Sequence, residues 1–203
     1  MLPDSAGRGL QEERSRSRTG SEYEGSLAFA ERGGVLTPLF GTRVGLNLVN
    51  VDRVTVSLER QYDNNLPFMA IDPDYTARNM MRNLAFKEIA VKSPGKNVIE
   101  RRALDIQELA GGQKGVFLLR VTGYQKETDE DGKSVMRYGN QEERLVVLTD
   151  IGATARCFPS GVTVFASSIA SAMPLPDAEV RVYSASNQLI ARGHTDRDGV
   201  FLH

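Results

Sequence analysis

The acidic run Glu127-Thr-Asp-Glu-Asp-Gly places carboxylates at positions 127, 129 and 131 ahead of Gly132, the spacing with which the first half of an EF-hand loop offers oxygen ligands to calcium. The twelfth position of such a loop supplies a bidentate glutamate; here it is Tyr138, and no helical periodicity flanks the run. The run therefore reads as a solvated hairpin tip. Asp196 and Asp198 suggest a second metal pair, but Asp198-Gly before a short apolar stretch is what a turn uses for its backbone conformation alone. Cys157 could act as a nucleophile with His194 as its base. Nothing local would activate the thiol, so Cys157 is expected to be a small buried apolar residue near a strand end, and His194 a surface imidazole beside a turn. His203 carries no reading. Met80, Met81 and Leu84 are expected to form the apolar side of a short helix laid over a sheet. Arg8, Arg14, Arg16 and Arg18 could touch RNA or lipid, yet Glu12, Glu13 and Glu22 dilute them into an unstructured tail.

Composition narrows the chemistry further. One cysteine in 203 residues excludes an intramolecular disulfide framework and any multi-cysteine metal site, and two histidines thin most hydrolase and metal templates. Lys plus Arg number 25 against 26 Asp plus Glu, so no global field draws the chain to nucleic acid or an anionic membrane. A hydrophobic share of 40% is enough for a folded core. The expectation is a protein that is not an enzyme, with no catalytic, cofactor-binding or metal-ligating residue and no cofactor.

The elements that would position any site are strands. Residues 1–22 are polar and rich in Arg, Ser, Gly and Glu, which predicts a disordered tail with no export signal. Val44 to Val49 and the alternating Val54-Thr-Val-Ser-Leu-Glu-Arg predict two strands joined by a tight connection. Residues 72–84 offer the one plausible short helix, capped by Asp74 or Thr76. Phe86 to Lys92 reads as a strand and Val98 to Glu108 as an extended piece with Leu104, Ile106 and Leu109 near one face. Val116-Phe-Leu-Leu-Arg-Val and Arg144-Leu-Val-Val-Leu-Thr-Asp would form a hairpin with a long loop. A second series runs through Thr154–Phe158, Val162–Ser167, Ala178–Tyr183, Gln188–Arg192 and Val200–Leu202. Short strands punctuated about every 8–12 residues by Pro, Gly, Asn or Asp predict an all-β, antiparallel Ig-like sandwich fold.

Three stretches, in order, resemble the bacterial alpha-2-macroglobulin family. Gly45-Leu-Asn-Leu-Val-Asn-Val-Asp-Arg-Val-Thr-Val-Ser-Leu-Glu-Arg followed by Asn65-Leu-Pro is similar to the family's Asn-Val-x-x-Val strand entry and its Asn-Leu-Pro turn. Leu104-Asp-Ile, Gly115-Val-Phe-Leu-Leu-Arg-Val and Val146-Val-Leu-Thr-Asp-Ile-Gly resemble the end of one macroglobulin-like domain passing directly into the next. Pro174-Leu-Pro-Asp-Ala-Glu-Val-Arg-Val-Tyr with Asn187-Gln-Leu-Ile-Ala and Thr195-Asp-Arg-Asp-Gly resembles the first strands of the succeeding domain.

The resemblance implies a tail at 1–22, a macroglobulin-like β-sandwich domain at 23–150 and the incomplete start of a second at 151–203. It implies an internal fragment of a periplasmic or cell-envelope protein that inhibits endopeptidases by trapping them, with proteases as partners of the full-length parent and this segment as scaffold. The family's thioester needs Cys-x-Glu-Gln, whereas Cys157 is followed by Phe158-Pro-Ser, so no thioester is expected here. An Ig-like binding module of a bacterial surface or adhesin-type protein is the alternative. If the chain exists alone, the incomplete second domain is expected to lack the strands that would cover Val180, Val182 and Leu189.

Overall fold

The computed structural model describes residues 23–71, 80–92 and 94–203. The tail expected at 1–22 and the helix caps expected at Asp74 and Thr76 lie outside the described residues. The described chain forms strands β1 (Ser26–Phe29), β2 (Val35–Leu36), β3 (Arg43–Val49), β4 (Arg53–Gln61), β5 (Met81–Ala90), β6 (Ile99–Asp105), β7 (Gly115–Thr128), β8 (Ser134–Leu148), β9 (Ile151–Phe158), β10 (Gly161–Ser168), β11 (Glu179–Tyr183), β12 (Leu189–His194) and β13 (Val200–Leu202). Two short helices, α1 (Leu66–Ile71) and α2 (Ile106–Leu109), interrupt them.

Four sheets result, in the orders β1-β3-β6, β2-β8-β7-β4-β5, β13-β10-β9 and β11-β12. The first two face each other. Alternate residues of β3 (Val44, Leu46, Leu48) and of β4 (Val54, Val56, Leu58) turn inward and meet Phe117, Leu119 and Val121 of β7 and Val146 and Leu148 of β8 in one buried cluster. This period of two is what a pleated strand imposes, so the alternation seen in the sequence of β4 became one wall of a sandwich. The tight connection at Asn50 does not close a hairpin: β3 and β4 lie in opposite sheets, and Asn50 turns the corner with φ +50. Every strand pairing is antiparallel except β2 with β8, which is parallel over two residues.

Several expectations are corrected. Met81 and Leu84 lie on β5, paired to β4, and not on a helix. The extended piece stops at Asp105; Ile106 and Leu109 belong to α2, which still brings Ile106 into the core beside Leu104. The β7–β8 hairpin has long arms and a short tip, because pairing runs out to Thr128 opposite Ser134. Cys157 is exposed rather than buried.

A smaller cluster of Val162, Ala191 and Phe201, with Val164, Val180 and Val182 packed against it, lies between the β13-β10-β9 and β11-β12 sheets. Val180 and Val182 are thus partly covered by Phe201 and its neighbours, whereas Leu189 is 53% exposed. Gly193 is required here, since a Cβ would stand 2.6 Å from the Phe201 ring. Phe117, with 0% exposure, sits at the centre of the larger cluster. Phe117→Ala is expected to cost about 3–5 kcal/mol through lost burial and the cavity left behind, read as a lower urea midpoint with an unchanged slope.

Candidate functional site

The junction between β8 and β9 is held by hydrogen bonds on each of its residues. Leu148 ends β8 inside the large core, 1% exposed, and Ile151 starts β9, so Thr149 and Asp150 alone connect them. Each is held. The Thr149 amide donates to the Leu36 carbonyl at 3.0 Å, and its hydroxyl accepts from the Ile151 amide at 2.9 Å. The Asp150 carbonyl accepts from the Ile169 amide at 2.8 Å. Its carboxylate accepts from the Ala170 amide and the Ser168 hydroxyl, both at 2.9 Å. The loop after β10 winds around Ser168, whose hydroxyl also accepts from the Ser171 amide, and Asp150 pins that loop to the junction. Thr149 is thus bonded to the first unit through Leu36 and to the start of β9, and Asp150 to the loop of the second unit, so the polar groups of this two-residue joint are paired.

Clefts lie between residues far apart in the chain. One, of about 600 Å³, lies between Asp63, Leu66 and Pro67 on one side and Arg181, Tyr183, Ser184 and Ala185 on the other. Another, of about 760 Å³, is formed by the turn carrying Thr37 and Phe40, by Arg43 and Asp105, and by Ile169 from beyond the joint. Asp105 organises this second side. Its carboxylate accepts from the Gln107 and Glu108 amides at 3.0 and 3.2 Å, which caps α2, and from the Thr42 hydroxyl at 3.0 Å; Arg43 stands 3.9 Å away. Burial pushes the Asp105 carboxyl up, but the Glu108 amide, the Thr42 hydroxyl, the Gln107 amide and the Arg43 guanidinium together hold it below the ordinary aspartate value.

A charge cluster that sequence reading missed crosses three strands on the face of the five-stranded sheet turned away from the core. Arg120 of β7 contacts Glu59 of β4 at 2.7 Å and Glu143 of β8 at 2.6 Å. Burial disfavours the Arg120 charge, yet Glu143 and Glu59 hold its pKa above the usual value, so Arg120 keeps its charge. The signal for it was cross-strand register, since Arg120 stands opposite both Glu143 and Ser57. It pins three strands and offers no open coordination position.

The residues singled out in the sequence have local roles. Asp129 accepts from the Asp131 and Lys133 amides, Glu127 pairs with Arg137 at 3.0 Å, and Tyr138 stacks edge-on against Tyr124. The acidic run is therefore occupied with holding its own turn. Asp196 accepts from the Asp198 and Val200 amides, both at 2.9 Å, and thereby forms the turn before β13. Cys157 on β9 and His194 on β12 lie in different sheets. Among the described residues, no three His, Cys, Asp or Glu side chains gather into a metal-holding group.

Two outcomes are expected. Asp105→Asn keeps a capping oxygen but loses the charge. The native protein draws stability from Asp105 that is complete above the ordinary aspartate value and disappears as pH falls through the lower folded value; the variant should show a shallower loss across that acid window in urea titrations. Asp150→Ala, which removes two hydrogen bonds at the joint, should cost about 1–3 kcal/mol and speed limited proteolysis near residues 149–151.

No curated protein matches the chain in sequence. Residues 148–202 match the bacterial alpha-2-macroglobulin MG3 domain. The fold matches native alpha-2-macroglobulin from Escherichia coli spanning domains NIE-MG1, with a TM-score of 0.62 and 21% identity over 88% of this chain and 86% of that one. It also matches the native conformation of the E. coli protein by cryo-EM, with a TM-score of 0.63 and 19% identity over 100% of this chain and 13% of that one. A third likeness is to trypsin-activated alpha-2-macroglobulin from E. coli, with a TM-score of 0.63 and 19% identity over 87% of this chain and 12% of that one. The chain thus spans about an eighth of the length of these two larger relatives. Residues 148–202, which begin at the joint, thus match the MG3 domain of bacterial alpha-2-macroglobulin, and the chain as a whole has the fold of these solved alpha-2-macroglobulin structures.

Proposed function

We propose that the chain is a non-enzymatic scaffold segment of a protease-trapping protein, in which residues 23–150 form one macroglobulin-like sandwich and 151–203 the first part of another. The parent would act on endopeptidases in the periplasm or cell envelope, and this segment would hold its neighbours at a fixed angle without supplying chemistry. One observation carries the reading: the MG3 match starts at residue 148, where the chain leaves one core and is clamped at Thr149 and Asp150 before starting the next. A trap that closes around a protease needs domains that pass on a displacement rather than absorb it, and a joint with paired polar groups does that.

The test is an assay of trypsin on a large protein substrate and on a small chromogenic peptide, each with the 203-residue chain in excess. Neither rate should change, because the scaffold reading gives this segment no contact with a protease active site. Stoichiometric inhibition of either reaction would show a direct inhibitor and sink the scaffold assignment. Cell fractionation adds the location, expected in the envelope fraction; recovery from cytosol alone would overturn that part.

A further inference from the structure

One side of the larger sandwich is closed by a segment that changes sheets. β1 pairs with β3 in the three-stranded sheet, from Ser26 opposite Val49 to Phe29 opposite Leu46, and β2 then joins the five-stranded sheet beside β8. Residues 25–36 therefore lie across the gap between the two sheets. Little apolar burial holds them there: Leu27 is 2% exposed, Phe29 and Leu36 are partly buried against the core, and Val35 is exposed. Segments with few buried contacts open at a lower free energy than the core they cover.

Polar side chains of β7 and β8 supply the remaining hold. In β8, Gly139 and Asn140 together oppose Gly123 of β7, a bulge between the pairs Thr122 with Gln141 and Tyr124 with Tyr138. A bulge re-aims a side chain, and Asn140 is directed at β1. The Leu27 amide donates to Asn140 Oδ1 at 2.7 Å, and Asn140 Nδ2 donates to the Leu27 carbonyl at 2.6 Å. A carboxamide offers the same acceptor and donor as a peptide group, so Asn140 fills the place of a neighbouring strand at the one buried residue of β1. Further along, the Gly25 amide donates to Gln125 Oε1 at 3.0 Å, and Arg144 lies 4.1 Å over the Phe29 ring and donates to the Gly33 carbonyl at 3.3 Å. At the far end the Gly34 and Leu36 carbonyls accept from the Val147 and Thr149 amides at 2.7 and 3.0 Å, so the segment runs from Asn140 to the joint.

We propose that residues 25–36 form a strap that opens as one unit, with the Asn140 carboxamide as its catch. Closed, the strap covers the edge of β3 and holds Thr149. Open, it bares the seven residues Arg43–Val49 for pairing and releases Thr149 from Leu36, so the state of the catch is felt at the joint. The strap is independent of the scaffold reading and stands whether or not a parent protein traps proteases.

The test is amide hydrogen exchange of the 203-residue chain, read by NMR. The Ala30 amide donates to the Gly45 carbonyl at 2.9 Å, and strand alternation turns the Ala28 amide to β3 as well, so neither touches Asn140. In the unaltered chain Ala28, Ala30, Val147 and Thr149 should share one protection factor, about tenfold or more below that of the β4 and β7 amides. Asn140→Ala should lower all four by about tenfold, as loss of two hydrogen bonds implies. Gly34→Ala, whose Cβ would stand 2.4 Å from the Leu145 carbonyl oxygen, pushes off the other end and should lower the same four.

Asn140→Asp separates a catch from mere packing. Ionised, the new carboxylate only accepts and faces the Leu27 carbonyl; protonated, it also donates. Closing the strap raises its pKa, so closure is complete below the ordinary aspartate value and is lost as pH rises through the higher closed value. Protection of the four amides, relative to the unaltered chain at the same pH, should therefore recover in acid. Neither β1 nor β3 carries an acidic residue, and Glu24 and Glu31 beside β1, Glu127 of β7 and Glu142 and Glu143 of β8 titrate in both proteins and cancel. The proposal is overturned if the four amides of the unaltered chain are as protected as β4 and β7, or if the Asn140→Ala effect stops at Leu27. It is equally overturned if Gly34→Ala leaves Ala28 and Ala30 unchanged, or if Asn140→Asp is indifferent to pH. If Asn140→Ala fails to fold, the unaltered chain and Asn140→Asp in acid decide.

Discussion

The packing of one three-stranded and one five-stranded sheet through alternating inward residues governs everything else in this molecule. Val44, Leu46 and Leu48 on one side and Val54, Val56, Leu58, Phe117, Leu119 and Val121 on the other can all be buried only if each strand keeps its register. A slip of one residue in β4 or β7 would turn its apolar set to solvent and bring residues such as Thr55, Ser57 and Arg120 into the core. That penalty is why β3 and β4, joined by a short connection, part into opposite sheets: each must offer its stripe to the same interior.

The edges of this core are finished by polar devices suited to their places. Asp105 ends β6, caps α2 and anchors Thr42, so one carboxylate lets the chain turn where Leu104 and Ile106 are both buried. Asn50 and Asn97, both at positive φ, bond to one another and tie the start of the described chain through Tyr23. On the outer face, the Glu59–Arg120–Glu143 trio links strands across the sheet in a half-buried setting, where an unpaired charge would be costly. None of these groups is arranged to receive a reacting atom.

At the end of β8 the same core becomes the support for the second unit. Leu148 is buried, Thr149 still bonds to Leu36, and Asp150 already belongs to the loop wound around Ser168. That unit is built to a looser standard, with a core of three buried apolar residues and several partly covered ones. Gly193 admits the Phe201 ring, and Gly199, at φ +74 with the Ala166 carbonyl 2.4 Å from where a Cβ would lie, lets the Asp196 turn close. The Asp150 carboxylate ties the start of the smaller unit to its own loop at Ser168 and Ala170, and the packing of that unit leaves the inner side of β9 exposed.

Local pattern was enough to establish the all-β class, the alternation of β4, the strands from β9 to β13 and the Asp196 and Asp129 turns, because each depends on side-chain period or on bonds spanning a few residues. It was also enough to give the order of stretches that resembles the alpha-2-macroglobulin family. Met81 and Leu84 were misread as helical because a short apolar run has no period of its own; pairing with β4 over a bulge at Leu58 and Glu59 made it a strand. Cys157 looked buried because its neighbours resemble a core strand, and only the placement of the β11-β12 sheet over Val162, short of β9, left it exposed. The Arg120 trio and the Asp150 clamp join residues far apart in the chain. Such contacts arise once sheets have chosen their partners, which is why the tertiary structure alone could decide them.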